Sequence, residues 1–349
     1  MIRLGIIGTN YGRTVLAPAL RAAGGDVVAL AGRDEAKTRA RAAEAGIGNG
    51  YGDWRALIAD DRVDAVAIAT MPALQPEIAC AALAAGKPVF AEKPMASTLA
   101  GARAMLQAAQ KSGCATMVDF NFHQVMSWQR AKAMLDDGAI GALRHVAVHW
   151  HIENFSIQKR MRNWKTLADD GGGVLGNFIS HCFHYLEWFC GPLAQLSARL
   201  SGLPGDDALQ TTVAMALEFA GGPLGSLSMS CASYLGSGHR VEFYGEDGTL
   251  MLVNSGADYM RGFELWHGKR PAAALTRVPV VDAADAQFPD GRIAPVSRLA
   301  QQFLAAIENG RSAPPSFAEG CRVQQLIDAA QRSHREGKMV ATAPGEMPA

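Results

Sequence analysis

The chain has 349 residues, more than one hydrophobic core usually organises, so two domains are expected. Lys+Arg and Asp+Glu are equal at 33 each, and 49% of the residues are AVILMFWYC. There is thus no net field to draw in nucleic acid or an acidic membrane, and a small-molecule partner is favoured. The six cysteines (Cys80, Cys114, Cys182, Cys190, Cys231, Cys321) show no C-x-x-C spacing. They read as reduced thiols of a cytoplasmic protein, not as zinc ligands. A core strand within the first few residues leaves no place for a leader, and no apolar run reaches the roughly 18 residues of a membrane span.

In chain order, the pattern predicts a strand over 2–8 and a helix to about residue 23. A strand over 26–31 and an Ala/Arg-rich helix over 35–45 follow. Next come a strand at 65–70, a helix at 76–85, a strand at 88–91, a helix at 97–111 and a strand at 115–120. Alternation of this kind predicts βαβ units, a parallel sheet and right-handed crossovers. After about residue 122 the rhythm becomes strict alternation, at 143–152, 195–201, 211–219, 225–231, 240–244 and 249–253. Glycine-rich turns separate these runs, which predicts a mostly antiparallel sheet. One helix, about 172–189, interrupts it and is stopped by Gly191-Pro192. The expected organisation is a parallel-sheet α/β domain at 1–121, an α+β domain at 122–341 and a loose tail at 342–349. Two late helices, about 296–308 and 319–336, are expected to return toward the first domain.

The first strand runs into Gly8-Thr9-Asn10-Tyr11-Gly12-Arg13. In the G-x-G-x-x-G register Gly8 is present, while Asn10 and Arg13 stand at the second and third glycine positions. The physics of phosphate binding survives this change. Asn tolerates a left-handed backbone better than most residues, and a helix N-terminus offers free N–H groups and a positive dipole end. A plain strand-turn-helix is the alternative for this motif alone. The second strand ends Leu30-Ala31-Gly32-Arg33-Asp34, with Gly32 where an acidic ribose ligand is expected. A guanidinium at Arg33 can hold a 2′-phosphate, which favours NADP. Asp34, one place late, keeps NAD open. A further strand end carries Glu92-Lys93-Pro94, which suits a lysine beside the reactive ring of a dinucleotide.

These motifs come with others. They include Ala67-Ile68-Ala69-Thr70-Met71-Pro72, Ala82-Leu83-Ala84-Ala85-Gly86-Lys87-Pro88 and Asp137-Gly138-Ala139-Ile140-Gly141. Gly171-Gly172-Gly173 with His181, Tyr244-Gly245-Glu246-Asp247-Gly248, 303–310 and 333–337 complete the series. In this order the chain resembles the glucose–fructose oxidoreductase / inositol dehydrogenase / MocA family over almost its whole length. The resemblance implies a Rossmann domain joined to an open-faced sheet domain, a dinucleotide between them, and homodimers or homotetramers formed through the open sheet face. A sheet with helices on one side only would otherwise leave a partly apolar face wet.

On this resemblance the cofactor residues are Gly8, Thr9, Asn10, Tyr11, Arg13, Gly32, Arg33, Thr70, Pro72, Gln75, Glu92, Lys93 and Asn121. Lys93 is implied to polarise a carbonyl or stabilise an alkoxide. His181 is implied to be the general acid/base, a role that imidazole suits near neutral pH. Asn177, His181 and His184 fall at i, i+4 and i+7, one face of a helix. The family commonly has Asp at the place of Asn177, which here can orient a hydroxyl but not take its proton. His184 likewise stands where Asp is common. His123, Asn154, Trp164 and Lys165 are implied to face the substrate together with Lys93, Asn177 and His181. His145, His149 and His151 alternate on one strand without a completing ligand, so no metal is expected. The resulting expectation is hydride transfer, by NADP in preference to NAD, to or from a secondary hydroxyl of a sugar, cyclitol or related polyol. A dinucleotide-binding regulator of the same fold and an NAD-assisted glycoside hydrolase are the alternatives.

Overall fold

A computed structural model describes residues 1–167, 170–203 and 206–342. The chain divides into two units, the first formed by Met1–Asn121 with Phe288–Gln324, the second by Phe122–Gln287 with the chain from Gln325 onward.

The first unit opens with β1 (Arg3–Ile7), a π-helical turn (Gly12–Leu16), α1 (Ala17–Ala22), β2 (Asp26–Ala31) and α2 (Glu35–Glu44). It continues through β3 (Asn49–Tyr51), α3 (Trp54–Ile58), β4 (Ala65–Ile68), α4 (Gln75–Ala84), β5 (Val89–Ala91), α5 (Leu99–Ser112) and β6 (Thr116–Val118). All six strands run parallel in the order β3-β2-β1-β4-β5-β6. This is the doubly wound dinucleotide-binding order, which reverses between β1 and β4. Leu4, Ile6, Ala65, Ala67 and Phe90 are completely buried, as strands covered on both faces require. Helix boundaries follow local chemistry: Asp34 caps α2 by accepting from the Lys37 N–H at 3.0 Å, and Thr98 caps α5 by accepting from the Gly101 N–H at 3.1 Å.

The second unit begins with α6 (Met126–Asp136), β7 (Leu143–His151) and the single turn α7 (Phe155–Gln158). A π-helical turn (Leu175–Ile179) leads into α8 (Ser180–Cys190). The strands β8 (Leu193–Leu203), β9 (Asp206–Phe219), β10 (Leu224–Ser230), β11 (Gly238–Gly245), β12 (Gly248–Asn254), β13 (Glu264–Lys269) and β14 (Thr276–Val278) follow. Then come α9 (Ile293–Glu308), α10 (Phe317–Glu336) and β15 (Val340–Ala341). The sheet order is β14-β13-β12-β11-β7-β10-β9-β8-β15, antiparallel except for the β7–β10 pair. One face is packed: Phe178 meets Trp150 edge-on at 5.2 Å and Phe189 meets Phe243 at 4.7 Å. The other face carries His145, His149, His151, Ser226, Ser228 and Tyr244, all at least partly exposed.

Helix α9 belongs to the first unit. Its apolar residues Val296, Leu299, Ala300 and Phe303 follow helical spacing and share one core with Leu4, Leu16, Leu20 and Phe90. The rhythm of the sequence groups residues 122–341 together, whereas contacts place Phe288–Gln324 with the nucleotide-binding sheet. The tail expected beyond Ala341 lies, after Thr342, outside the described residues.

Candidate active site

In open parallel sheets ligands bind outside the carboxyl ends of the strands, at the point where strand order reverses. In the first unit that point lies between Gly8, after β1, and Ala69, after β4. A Cβ at Gly8 would stand 2.2 Å from the Ala69 carbonyl oxygen, and Gly8 has φ +120°. Only glycine permits both this backbone and this approach. Gly8→Ala is therefore expected to cost about 1–3 kcal/mol of stability and to weaken binding of the reduced dinucleotide, read by thermal unfolding and by nicotinamide fluorescence.

The rest of the expected nucleotide turn is arranged around Gly8. Asn10 accepts backbone bonds from Arg13 and Thr14 through its carbonyl at 3.1 and 3.0 Å. The Arg13 guanidinium lies 3.3 Å from the Glu44 carboxylate. Arg41, which the motif did not signal, donates to Thr9 Oγ1 at 2.6 Å and brings a cation to the turn from α2. Gly32 is close-packed, since a Cβ there would lie 2.6 Å from Thr38 Oγ1 and 2.7 Å from the Thr9 methyl. Arg33 is exposed. Asp34 is held by the first turn of α2 and sits 3.3 Å from the Lys37 ammonium.

After β4 and β5 the chain is pinned. Pro72 is buried and Thr70 partly exposed, its hydroxyl 3.5 Å from the Met71 carbonyl. Gln75 is wholly buried and donates through Nε2 to the carbonyls of Glu92 and Pro94, both at 2.9 Å. Gln75 thus fixes the loop that carries Lys93. The Lys93 N–H donates to Glu92 Oε2 at 3.1 Å, and the Lys93–Pro94 peptide is cis. Behind this loop Asp119, which sequence reasoning also missed, is 1% exposed and accepts from Tyr11 Oη at 3.0 Å. Burial first, and then the Glu92 carboxylate, push the Asp119 carboxyl well above the usual carboxylate range. Asn121 begins a 3-10 turn and is buried.

In the second unit Asn177 lies inside the π-helical turn, and His181 in the first turn of α8. Both are buried. The Phe122 ring packs edge-on to the His181 ring at 4.9 Å. A π turn holds one more residue than an α turn and re-aims the side chains beyond it, a departure common at functional sites. His123 and His184 stand 5.3 Å apart between ring centroids. Burial, and next the nearby His123, push His184 well below the ordinary histidine range, so it stays neutral. Asn154 caps α7, accepting from the Ser156 N–H at 2.9 Å. Trp164 and Lys165 form a 3-10 turn capped by Asn163, with the Lys165 ammonium 5.8 Å from the Trp164 ring centroid. Gly172 lies against this turn, where a Cβ would stand 2.2 Å from the Trp164 carbonyl oxygen. His145 and His151 pair with Ser226 and Ser228 at 3.4 and 2.9 Å. Among the described residues no group of three His, Cys, Asp or Glu could hold a metal ion, and no helix is long and apolar enough to cross a membrane.

Comparison with known proteins extends this picture. An uncharacterized oxidoreductase of Synechocystis sp. is 32% identical over 97% of this chain and 96% of its own length. Levoglucosan dehydrogenase of Pseudarthrobacter phenanthrenivorans is 28% identical over 81% of each chain. A solved levoglucosan dehydrogenase in complex with NADH and levoglucosan has the same fold, with a TM-score of 0.88 at 23% identity over 98% of this chain and 99% of that one. The cofactor in that structure is NADH, which corrects the expected preference for NADP over NAD. The expectation rested on the missing carboxylate at Gly32 and on Arg33, and a planar guanidinium at that place can stack on an adenine face as readily as it can clamp a 2′-phosphate. The family model for the NAD-binding Rossmann fold of the oxidoreductase family matches residues 2–120, and that for the GFO/IDH/MocA C-terminal domain matches residues 128–251. With both models matched in order and a relative similar along nearly its whole length, the chain belongs to the GFO/IDH/MocA oxidoreductase family and is an NAD(P)-dependent enzyme that moves a hydride to or from a CH–OH carbon.

Proposed function

We propose that this enzyme uses NAD to interconvert a secondary hydroxyl and the matching carbonyl of a sugar, cyclitol or related polyol. The observation that carries the reading is Lys93, on a loop pinned by Gln75 at the carboxyl end of β5. Relatives named for levoglucosan, D-apiose and inositol dehydrogenation support the substrate class. When bound, the dinucleotide supplies the hydride chemistry. The chain supplies the rest. The N–H groups around Gly8 and the Arg41 cation receive the pyrophosphate, and Asp34 accepts from the adenosine ribose. The Lys93 ammonium stabilises charge on the substrate oxygen as the carbonyl forms or is consumed. His181 takes or returns the hydroxyl proton, and Asn177 orients a neighbouring hydroxyl without taking its proton. The partly exposed sheet face of the second unit joins copies of the chain into a homodimer or homotetramer.

Two measurements test this reading. Titration with NADH and NADPH, followed by tryptophan quenching, is expected to give tighter binding of NADH. Preference for NADPH would overturn the cofactor assignment. Steady formation of NADH from free NAD with sugars and cyclitols is expected. Glycoside cleavage without net NADH, or cofactor binding without turnover of any polyol, would count against the proposal.

A further inference from the structure

Strands β5 and β6 are parallel neighbours with Ala91 opposite Val118, so Glu92 and Asp119 leave the sheet side by side. Asp119 Oδ2 accepts from Tyr11 Oη at 3.0 Å, and Glu92 Oε2 accepts from the Lys93 N–H at 3.1 Å. The remaining oxygens, Asp119 Oδ1 and Glu92 Oε1, are both buried and have no donor among the described residues. After burial itself, the neighbouring Glu92 carboxylate is the largest influence pushing the Asp119 carboxyl up. Neighbouring carboxylates in a dry site cannot both ionise, so two adjacent buried oxygens without donors call for a proton between them. The Tyr11 hydroxyl, which donates to Asp119, and the Lys93 ammonium also act on the pair. Arg292, from the N-cap of α9, lies over the Tyr11 ring at 5.3 Å and is itself paired with Asp290 at 2.6 Å.

We propose that Asp119 and Glu92 share one proton as a single buried carboxyl pair, anchored by Tyr11, that sets the charge on Lys93. While the proton is held, the pair presents one negative charge, which keeps Lys93 an ammonium. When the proton leaves, a second negative charge arrives and binds the ammonium proton more firmly. Asp119 is thus a positioning residue acting through Lys93. The inference rests on the reading of Lys93 given above, but its test does not need turnover.

The intact chain is examined by difference infrared spectroscopy against Asp119→Asn. The carbonyl stretch of a protonated carboxyl is expected at neutral pH in the parent protein and is expected to be absent from the variant. Should Asp119→Asn fail to fold, Glu92→Gln serves, since it also leaves one charge and no shared proton. A second readout is the melting temperature against pH. A carboxyl whose folded pKa lies above its unfolded value makes the folded chain bind an extra proton from about pH 4 upward, so stability falls as pH rises through that window. Asp119→Asn removes that slope, and its melting temperature relative to the parent is expected to be higher at about pH 8 than at about pH 5. Absence of the protonated-carboxyl band, or parallel melting curves across this range, would overturn the pair. With the band present, loss of turnover for every polyol would overturn the reading of Lys93 and leave the pair standing.

Discussion

Replacing Lys93 by methionine is expected to lower kcat/KM for hydride transfer by about 10²–10⁴-fold, the usual worth of a positioned proton-handling or charge-stabilising group. Methionine keeps most of the apolar stem and removes the ammonium. The loop itself should persist, because Gln75 holds it through the backbone carbonyls of Glu92 and Pro94, and those bonds do not involve the Lys93 side chain. NADH binding is therefore expected to change far less than kcat. Steady-state kinetics with the best polyol substrate, beside a fluorescence titration of NADH, separates the two. A variant that raises KM while kcat stays constant would show that Lys93 only binds, and the polarising role would fall.

Phe303→Ala is expected to destabilise the first unit by about 3–5 kcal/mol, measured as a lowered midpoint in urea with the slope retained. Phe303 is wholly buried on α9 and meets Phe90 of β5 edge-on, with 5.6 Å between centroids and 70° between planes. The cost has two parts. The ring loses its apolar burial, and the cavity left beside Phe90 closes only in part, because the core that also holds Leu4, Leu20 and Met117 is built of fully buried strand and helix residues. An effect below about 1 kcal/mol would mean that α9 is not an integral part of this core.

Much of the first unit is legible in the sequence because buried parallel strands announce themselves as short apolar runs. Strand β2 has the bounds its pattern predicts, and α2, α4 and α5 lie within two residues of theirs. The sequence is silent where pairing alone makes the element. Strand β3 is Asn49-Gly50-Tyr51, a turn-like tripeptide that becomes a strand only because β2 offers it an edge. Helix α6, an element the pattern above does not mark, buries Trp128, Ala131 and Met134 along an otherwise largely polar run. The expected helix of about 172–189 is a π turn followed by α8, since hydrophobic spacing does not register one inserted residue. For the candidate site, Lys93 is legible through its motif. The Tyr11–Asp119 bond joins residues 108 positions apart, and no local pattern could pair them. Arg41 escaped notice for a similar reason, as it lies on a helix facing the glycine turn instead of in the turn.

The nucleotide-binding unit is discontinuous: the chain leaves it after Asn121 and re-enters at Phe288. On the ribosome, all six of its strands emerge long before the helix that covers them. At about 5–20 residues per second, the intervening stretch takes roughly 10–30 s to synthesise. During that interval Leu4, Ile6 and Phe90 lack the side chains of α9 that later bury them. The unit made first is thus finished late, with part of its apolar core uncovered in the interval.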